Sequence, residues 1–277
     1  MSTRRSFRQN RGMSKRPSLI RSLSLGAVAL ALPLTGCGDD KADDAADSAS
    51  PATTEAPAFD AFCQAVIAAD AAANALSGPD DPTPEAIESV KAAFEAVESA
   101  APEEIATEVA TMVKTGSERL ESETGEPGEG FAEAAKTTYG FVEDNCGFGT
   151  LAVTAKDYSY DGMPADMAEG ASLVTLKNAG TELHEMVFVR VNDDVTESTD
   201  ELLALPEEEA MSKVELKGTI VAMPGETTQS TVDLEAGRYL VACFIPVGLT
   251  PESMASGAEP EGPPHFTQGM VHDLTID

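Results

Sequence analysis

Four side chains in the last third of this 277-residue chain could do chemistry together: His184, Cys243, His265 and Met270. Two imidazoles, a thiol and a thioether are the donor types of a trigonal His2Cys copper site with a weak axial Met. The thiolate would supply covalency, and two neutral imidazoles would suit both oxidation states. A distant thioether would raise the potential. Cys243 has no partner among the other three cysteines as read below. An unpaired thiol outside the cytoplasm is a liability unless it is buried or ligated, and an inert buried Cys in a strand is the alternative. His272 reads as a solvated imidazole rather than a ligand. Met163, Met167, Met186, Met211 and Met254 lack Met-x-x-Met spacing and read as packing or surface residues. No Ser/His/Asp order, phosphate loop or carboxylate pair rises above background, so an enzyme is not expected.

The four donors need a rigid frame, and the residue pattern around them supplies one. From about residue 148 apolar residues alternate with a period of two. Strands are expected over 151–160, 172–177, 183–191, 214–223, 227–234, 238–244 and 270–276, with a short helical excursion over 199–211. Pro224-Gly225 is a turn pair. Seven or so short strands at this spacing predict a β-sandwich.

Residues 59–147 have helical spacing instead. Phe59, Phe62, Val66 and Ile67 share one face of a first helix, ended near Ser77-Gly78-Pro79. Thr83-Pro84 starts a second helix with proline in its first turn, and Ile87, Val90, Phe94 and Val97 form its stripe. Pro102 opens a third, and Phe131 to Val142 form a fourth. The expected fold class is therefore α + β and multidomain: an N-terminal four-helix bundle over 59–147, then an all-β sandwich over 148–277. In an up-and-down bundle the first helix starts where the fourth ends. Cys63 and Cys146 fall at that shared end and are expected to form a disulfide, as an oxidising compartment allows.

Charge and the N-terminus set the compartment. The formal charge is −30, but residues 1–36 hold seven cations and no acid, so residues 37–277 carry −37. Such a surface repels nucleic acid, which is excluded as a partner. A basic start and the apolar run Leu23–Leu34 make an export signal, too short to span a bilayer. It ends in Leu34-Thr35-Gly36-Cys37, which resembles the bacterial lipobox. That resemblance implies lipidation of Cys37 and a lipid-anchored protein on the extracytoplasmic face of the cell membrane. Residues 37–58 hold almost nothing to bury and read as a disordered tether.

The C-terminal region of about 130 residues resembles the cupredoxins, the plastocyanin-like blue-copper domains. Three segments carry the likeness: Asn178-Ala-Gly-Thr-Glu-Leu-His184, Pro224-Gly225 with Gly237-Arg-Tyr239-Leu-Val-Ala-Cys243, and His265-x4-Met270. The resemblance implies His184, Cys243 and His265 as equatorial ligands of one copper ion and Met270 as the axial one. Asn178 would tie the first-His loop to the Cys loop. His265, between Pro264 and Phe266, would sit at an apolar rim where electrons leave. The sequence departs from the family in one place, because 21 residues separate Cys243 from His265. Either this insert loops outward and returns, or the site has changed. Three functions stay open: an electron carrier with a redox protein partner, a copper storage or delivery lipoprotein, and a metal-free interaction module.

Overall fold

The computed structural model describes residues 59–76, 82–121, 128–257, 260 and 262–277. The expected signal, the lipidated Cys37 and the tether lie outside these residues, as does the Ser77-Gly78-Pro79 stop. Among the described residues no helix is long and apolar enough to cross a membrane.

Among the described residues four α-helices come first: α1 (Asp60–Asn74), α2 (Pro84–Ala100), α3 (Ala106–Glu121) and α4 (Phe131–Asn145). Thr83 caps α2, its Oγ1 accepting the Ala86 N–H at 3.1 Å with Pro84 just behind, so a first-turn donor is satisfied by the residue type that does this best. The apolar stripes meet as expected. Phe62, Val66, Val97, Val109, Val113 and Val142 form one buried cluster. Cys63 and Cys146 are disulfide-bonded, joining the start of α1 to the residue after α4.

Among the described residues nine strands follow. β1 (Gly149–Lys156), β2 (Ser159–Asp161), β4 (Gly170–Asn178) and β7 (Thr227–Leu234) form one sheet in the order β2-β1-β4-β7. β3 (Asp166–Met167), β5 (His184–Val191), β6 (Val214–Ala222), β8 (Gly237–Ala242) and β9 (Val271–Ile276) form the other, ordered β3-β9-β8-β5-β6. The sheets face each other across Leu151, Val153, Val174, Leu176, Met186, Phe188, Ile220, Val232, Tyr239, Val241, Leu274 and Ile276. The outer face of the five-stranded sheet buries Val189, Val191 and Leu240 against Leu202 of α5 (Thr199–Leu203). The expected 199–211 excursion is split at Pro206 into α5 and α6 (Glu207–Met211).

β4 is buried on both sides, for a specific reason. Val174 and Leu176 face the inter-sheet core, whereas Leu173 on the opposite face joins the helical cluster. The expected boundary at 147–148 thus falls in a short connection between two parts that share a face. Asp70 of α1 accepts hydrogen bonds from Tyr139 of α4 (2.6 Å) and from the backbone N and Oγ1 of Thr231 in β7 (2.6 and 2.8 Å).

One strand reading is corrected. The expected strand 151–160 breaks after Lys156, and Asp157–Tyr158 turn the chain into β2, which pairs antiparallel with β1. Tyr158 takes φ 69°, the left-handed region, although it is not glycine, a conformation uncommon enough for a bulky residue to signal a constrained turn. That turn brings Asp157 and Tyr158 to the site.

Candidate metal centre

Strand parity aims the donors inward. His184 opens β5 and shares its facing with the core residues Met186 and Phe188. Cys243 follows β8 in phase with Tyr239 and Val241, and Met270 precedes β9 in phase with Leu274 and Ile276. Because side chains alternate along a strand, all three enter the space between the sheets at one end. His184, Cys243, His265 and Met270 are each fully buried.

The long insert does return. Pro246 and Pro264 form an antiparallel bridge, and the Val247 N–H donates to the Pro263 carbonyl at 3.0 Å. The insert carries a short helix, α7 (Pro251–Ser256), closed by a reciprocal Thr250–Ser253 capping box. At its end the His265 N–H donates to the Ile245 carbonyl (2.9 Å) and the Phe266 N–H to the Cys243 carbonyl (2.9 Å). A 3-10 turn over His265–Gln268 and Gly269 at φ 110° then reverse the chain, so that the Cys243 N–H reaches the Met270 carbonyl at 3.1 Å. Two pieces of chain 21 residues apart are thereby held side by side.

The donor atoms of His184, Cys243 and His265 all lie within 4.8 Å of one another. His184 Nδ1 is 3.2 Å from His265 Nδ1, and Cys243 Sγ is 3.3 Å from His265 Nδ1. Burial pushes the Cys243 thiol up to about 12, so the metal-free protein holds it protonated at neutral pH. Burial likewise lowers the His184 imidazole, with only partial compensation from its Asp157 hydrogen bond.

Two carboxylates stand behind the rings. His184 Nε2 lies 3.1 Å from Asp157 Oδ1, and His265 Nε2 lies 3.0 Å from Glu182 Oε2. Burial favours protonation of Asp157, but hydrogen bonds from the Thr181 N–H and hydroxyl, from His184 and from the Glu182 N–H outweigh it and hold its pKa down. For Glu182, burial is overcome by the Gly248 N–H, His265 and the Tyr158 hydroxyl. Ionised carboxylates only accept hydrogen bonds, so both ring protons belong on Nε2. That leaves two bare Nδ1 atoms facing each other, with the one thiol proton to serve both. A buried constellation of this kind lacks a positive centre, and its two imidazoles and thiol are the donors copper favours. The residues fit the metal.

Glycine at 180 is a packing requirement. A Cβ there would lie 2.6 Å from His184 Nε2 and would also strike Asp157 Oδ1. Asn178 fixes the same loop. Its Nδ2 donates to the carbonyls of Glu182 and Ala222 (both 2.8 Å), and its Oδ1 accepts the Gly180 N–H at 2.8 Å. The Gly225 N–H also donates to the Asn178 carbonyl, at 3.0 Å. Asn178 therefore ties the first-His loop to the end of β6 and the Pro-Gly turn, not to the Cys loop as expected. The expected apolar rim is corrected too: His265 has no exposed surface, and its outer nitrogen meets Glu182. His272 stands apart from the cluster and bonds the Pro164 carbonyl at 2.8 Å.

Asp157 and Glu182 are the site residues that sequence reasoning missed. Glu182 sits inside the quoted Asn178–His184 segment, and Asp157 interrupts an otherwise strand-like run, but each is one acid among 48.

No family model matches the chain, and no curated protein matches it. Among solved structures it is similar to the dithionite-reduced auracyanin of the photosynthetic bacterium Roseiflexus castenholzii. The identity is 18%, with 46% of this chain and 96% of that one covered, at a TM-score of 0.30. It is also similar to auracyanin A, a "blue" copper protein of Chloroflexus aurantiacus, at 17% identity, 47% and 100% coverage and a TM-score of 0.30. Auracyanin B follows at 19% identity, 47% and 88% coverage and a TM-score of 0.27. At such values, the case for a metal in this protein rests on the side chains of its own buried centre.

Proposed function

We propose that this protein is a lipid-anchored, extracytoplasmic, cupredoxin-like electron carrier holding one copper ion through His184, Cys243 and His265, with Met270 as the weak fourth ligand. The observation that carries this reading is the buried convergence of two imidazoles and a thiol within 4.8 Å, with a carboxylate oxygen at the outer nitrogen of each ring. Bound copper would supply a one-electron couple. The protein's part is to bind and hold. The two rings present Nδ1, the thiol gives up its proton as it ligates, and the two sheets keep water out. Little movement is available to the donors, because His184 and Cys243 belong to paired backbone and His265 is clamped by its own N–H. We read the helical segment as an up-and-down four-helix bundle closed by its disulfide. Cys37 is the membrane anchor in this reading, and the molecule is a carrier rather than an enzyme.

An outlet for electrons toward a redox protein partner is offered by Phe244 and Phe266, which follow Cys243 and His265 in the chain. Their rings meet at 5.3 Å between centroids, and Phe244 is 39% exposed.

One observation favours a second reading, in which copper is stored or delivered: Glu182, held by the Gly248 N–H, covers the outer nitrogen of His265. Copper titration separates the two. A Cu(II) adduct with an intense thiolate-to-metal band near ~600 nm, lost in Cys243→Ser, is the expected result for the carrier. Colourless, stoichiometric Cu(I) binding with no stable Cu(II) form would instead establish storage. No stoichiometric copper of either kind would dismiss both. For the anchor, Cys37→Ala is expected to release the protein from the membrane fraction.

A further inference from the structure

We propose that Asp157 and Glu182 are positioning residues for the metal: each accepts the Nε2–H of one ligand imidazole, fixing both rings as Nδ1 donors and adding negative charge behind them that favours the oxidised ion. This inference rests on the copper reading above and deepens it.

The two carboxylates come from different places, yet are built to the same end. Asp157 occupies the β1–β2 turn, where the left-handed Tyr158 sharpens the reversal. Its carboxylate accepts the Thr181 N–H at 2.8 Å through Oδ1 and the Thr181 hydroxyl at 2.9 Å through Oδ2. Those bonds lock the oxygen that faces His184. Glu182 is held at both oxygens. Oε1 accepts the Tyr158 hydroxyl at 2.9 Å, and Oε2 accepts the Gly248 N–H at 2.6 Å beside His265. Its side chain is only 11% exposed, so its charge acts through protein rather than water. Gly180 leaves the space that the Asp157–His184 pair needs.

The long insert now has a chemical role. Gly248 lies within it, and the Leu183 N–H donates to the Leu249 carbonyl at 2.9 Å. The segment that displaces His265 far along the chain is thus the one that holds the carboxylate on His265. Outer carboxylates on metal-ligating imidazoles raise ligand basicity, and their loss typically costs 10–100-fold in metal affinity. Two of them on one centre should pull in the same direction.

The test uses the full-length protein in detergent, with Asp157→Asn, Glu182→Gln and the double variant. First, metal-free wild-type protein labelled with 15N at histidine is examined by NMR. Its three histidines are assigned through His184→Gln, His265→Gln and His272→Gln. The expected result is the Nε2–H tautomer at both His184 and His265. A proton on Nδ1 of either ring would overturn the proposal without any metal being added. Second, copper is titrated and the midpoint potential measured. Each single variant is expected to bind Cu(II) 10–100-fold more weakly than wild type and to show a more positive potential, the double variant more so. Wild-type affinity and potential in all three variants would refute the positioning role while leaving the copper site intact. Wild-type protein that binds no copper would remove both readings together. A variant that fails to fold is identified by far-UV circular dichroism, and the wild-type tautomers then decide.

Discussion

Cys243 and Gly180 show how differently two residues can serve one centre. Cys243 brings chemistry: a buried thiol in contact distance of an imidazole, replaceable by Ser in size but not in softness. Gly180 brings only an absence of atoms. Gly180→Ala is expected to destabilise the fold by about 1–3 kcal/mol, the usual cost of forcing a methyl group into filled space. It should also weaken copper binding by pushing Asp157 from His184. Chemical denaturation and metal titration of the same variant check both effects. Unchanged values in both would mean that the loop yields freely.

At the scale of elements, one acid joins three of them. Asp70 links α1, α4 and β7 by accepting from Tyr139 and twice from Thr231. Asp70→Ala leaves two hydroxyls and a backbone N–H without that partner and should cost about 3 kcal/mol. Burial raises the Asp70 pKa above its ordinary 3.8 despite these bonds. The folded state therefore binds this proton more tightly than the unfolded chain does. The contribution of Asp70 is fully present below the unfolded value and declines as pH rises through the folded one. Urea midpoints of wild type and Asp70→Ala, taken from about pH 4 upward, should converge as the pH rises. A gap that widens instead would reverse the sign of the shift. The same bonds explain why the helices do not hang free of the sandwich. Asn74, one turn further along α1, also reaches it, accepting the Thr219 N–H at 2.9 Å.

For the whole molecule, the disulfide and the insert are opposite uses of chain entropy. Cys63–Cys146 closes a separation of 83 residues. In the loop-entropy account that stabilises the fold by about 4 kcal/mol. The double variant Cys63→Ser/Cys146→Ser should lose about that amount in urea unfolding while retaining the copper band of the folded protein. Loss of the band without unfolding would couple the helices to the metal centre. The insert between Cys243 and His265 lengthens a loop, and lengthening costs little because closure entropy grows only logarithmically. Its backbone bonds to the site explain how a long excursion leaves the donors together.

Much of this was legible from residue types and their period. Apolar alternation gave the sandwich, since side-chain facing is fixed locally by the strand. The stripes from Phe62 to Val142 gave the helices. Bundle connectivity pairs Cys63 with Cys146, and the donors stand out because histidine and unpaired thiol are scarce here, with Met270 at a fixed spacing from His265. Only the tertiary structure decided what lies behind the rings. Asp157 needed an unforeseen turn in β1–β2, and Glu182 needed the Gly248 N–H from the insert, contacts that no local pattern encodes. Burial of His265 was settled the same way. A ligand's identity is written in one residue, whereas its environment is assembled from segments that meet only when the chain has folded.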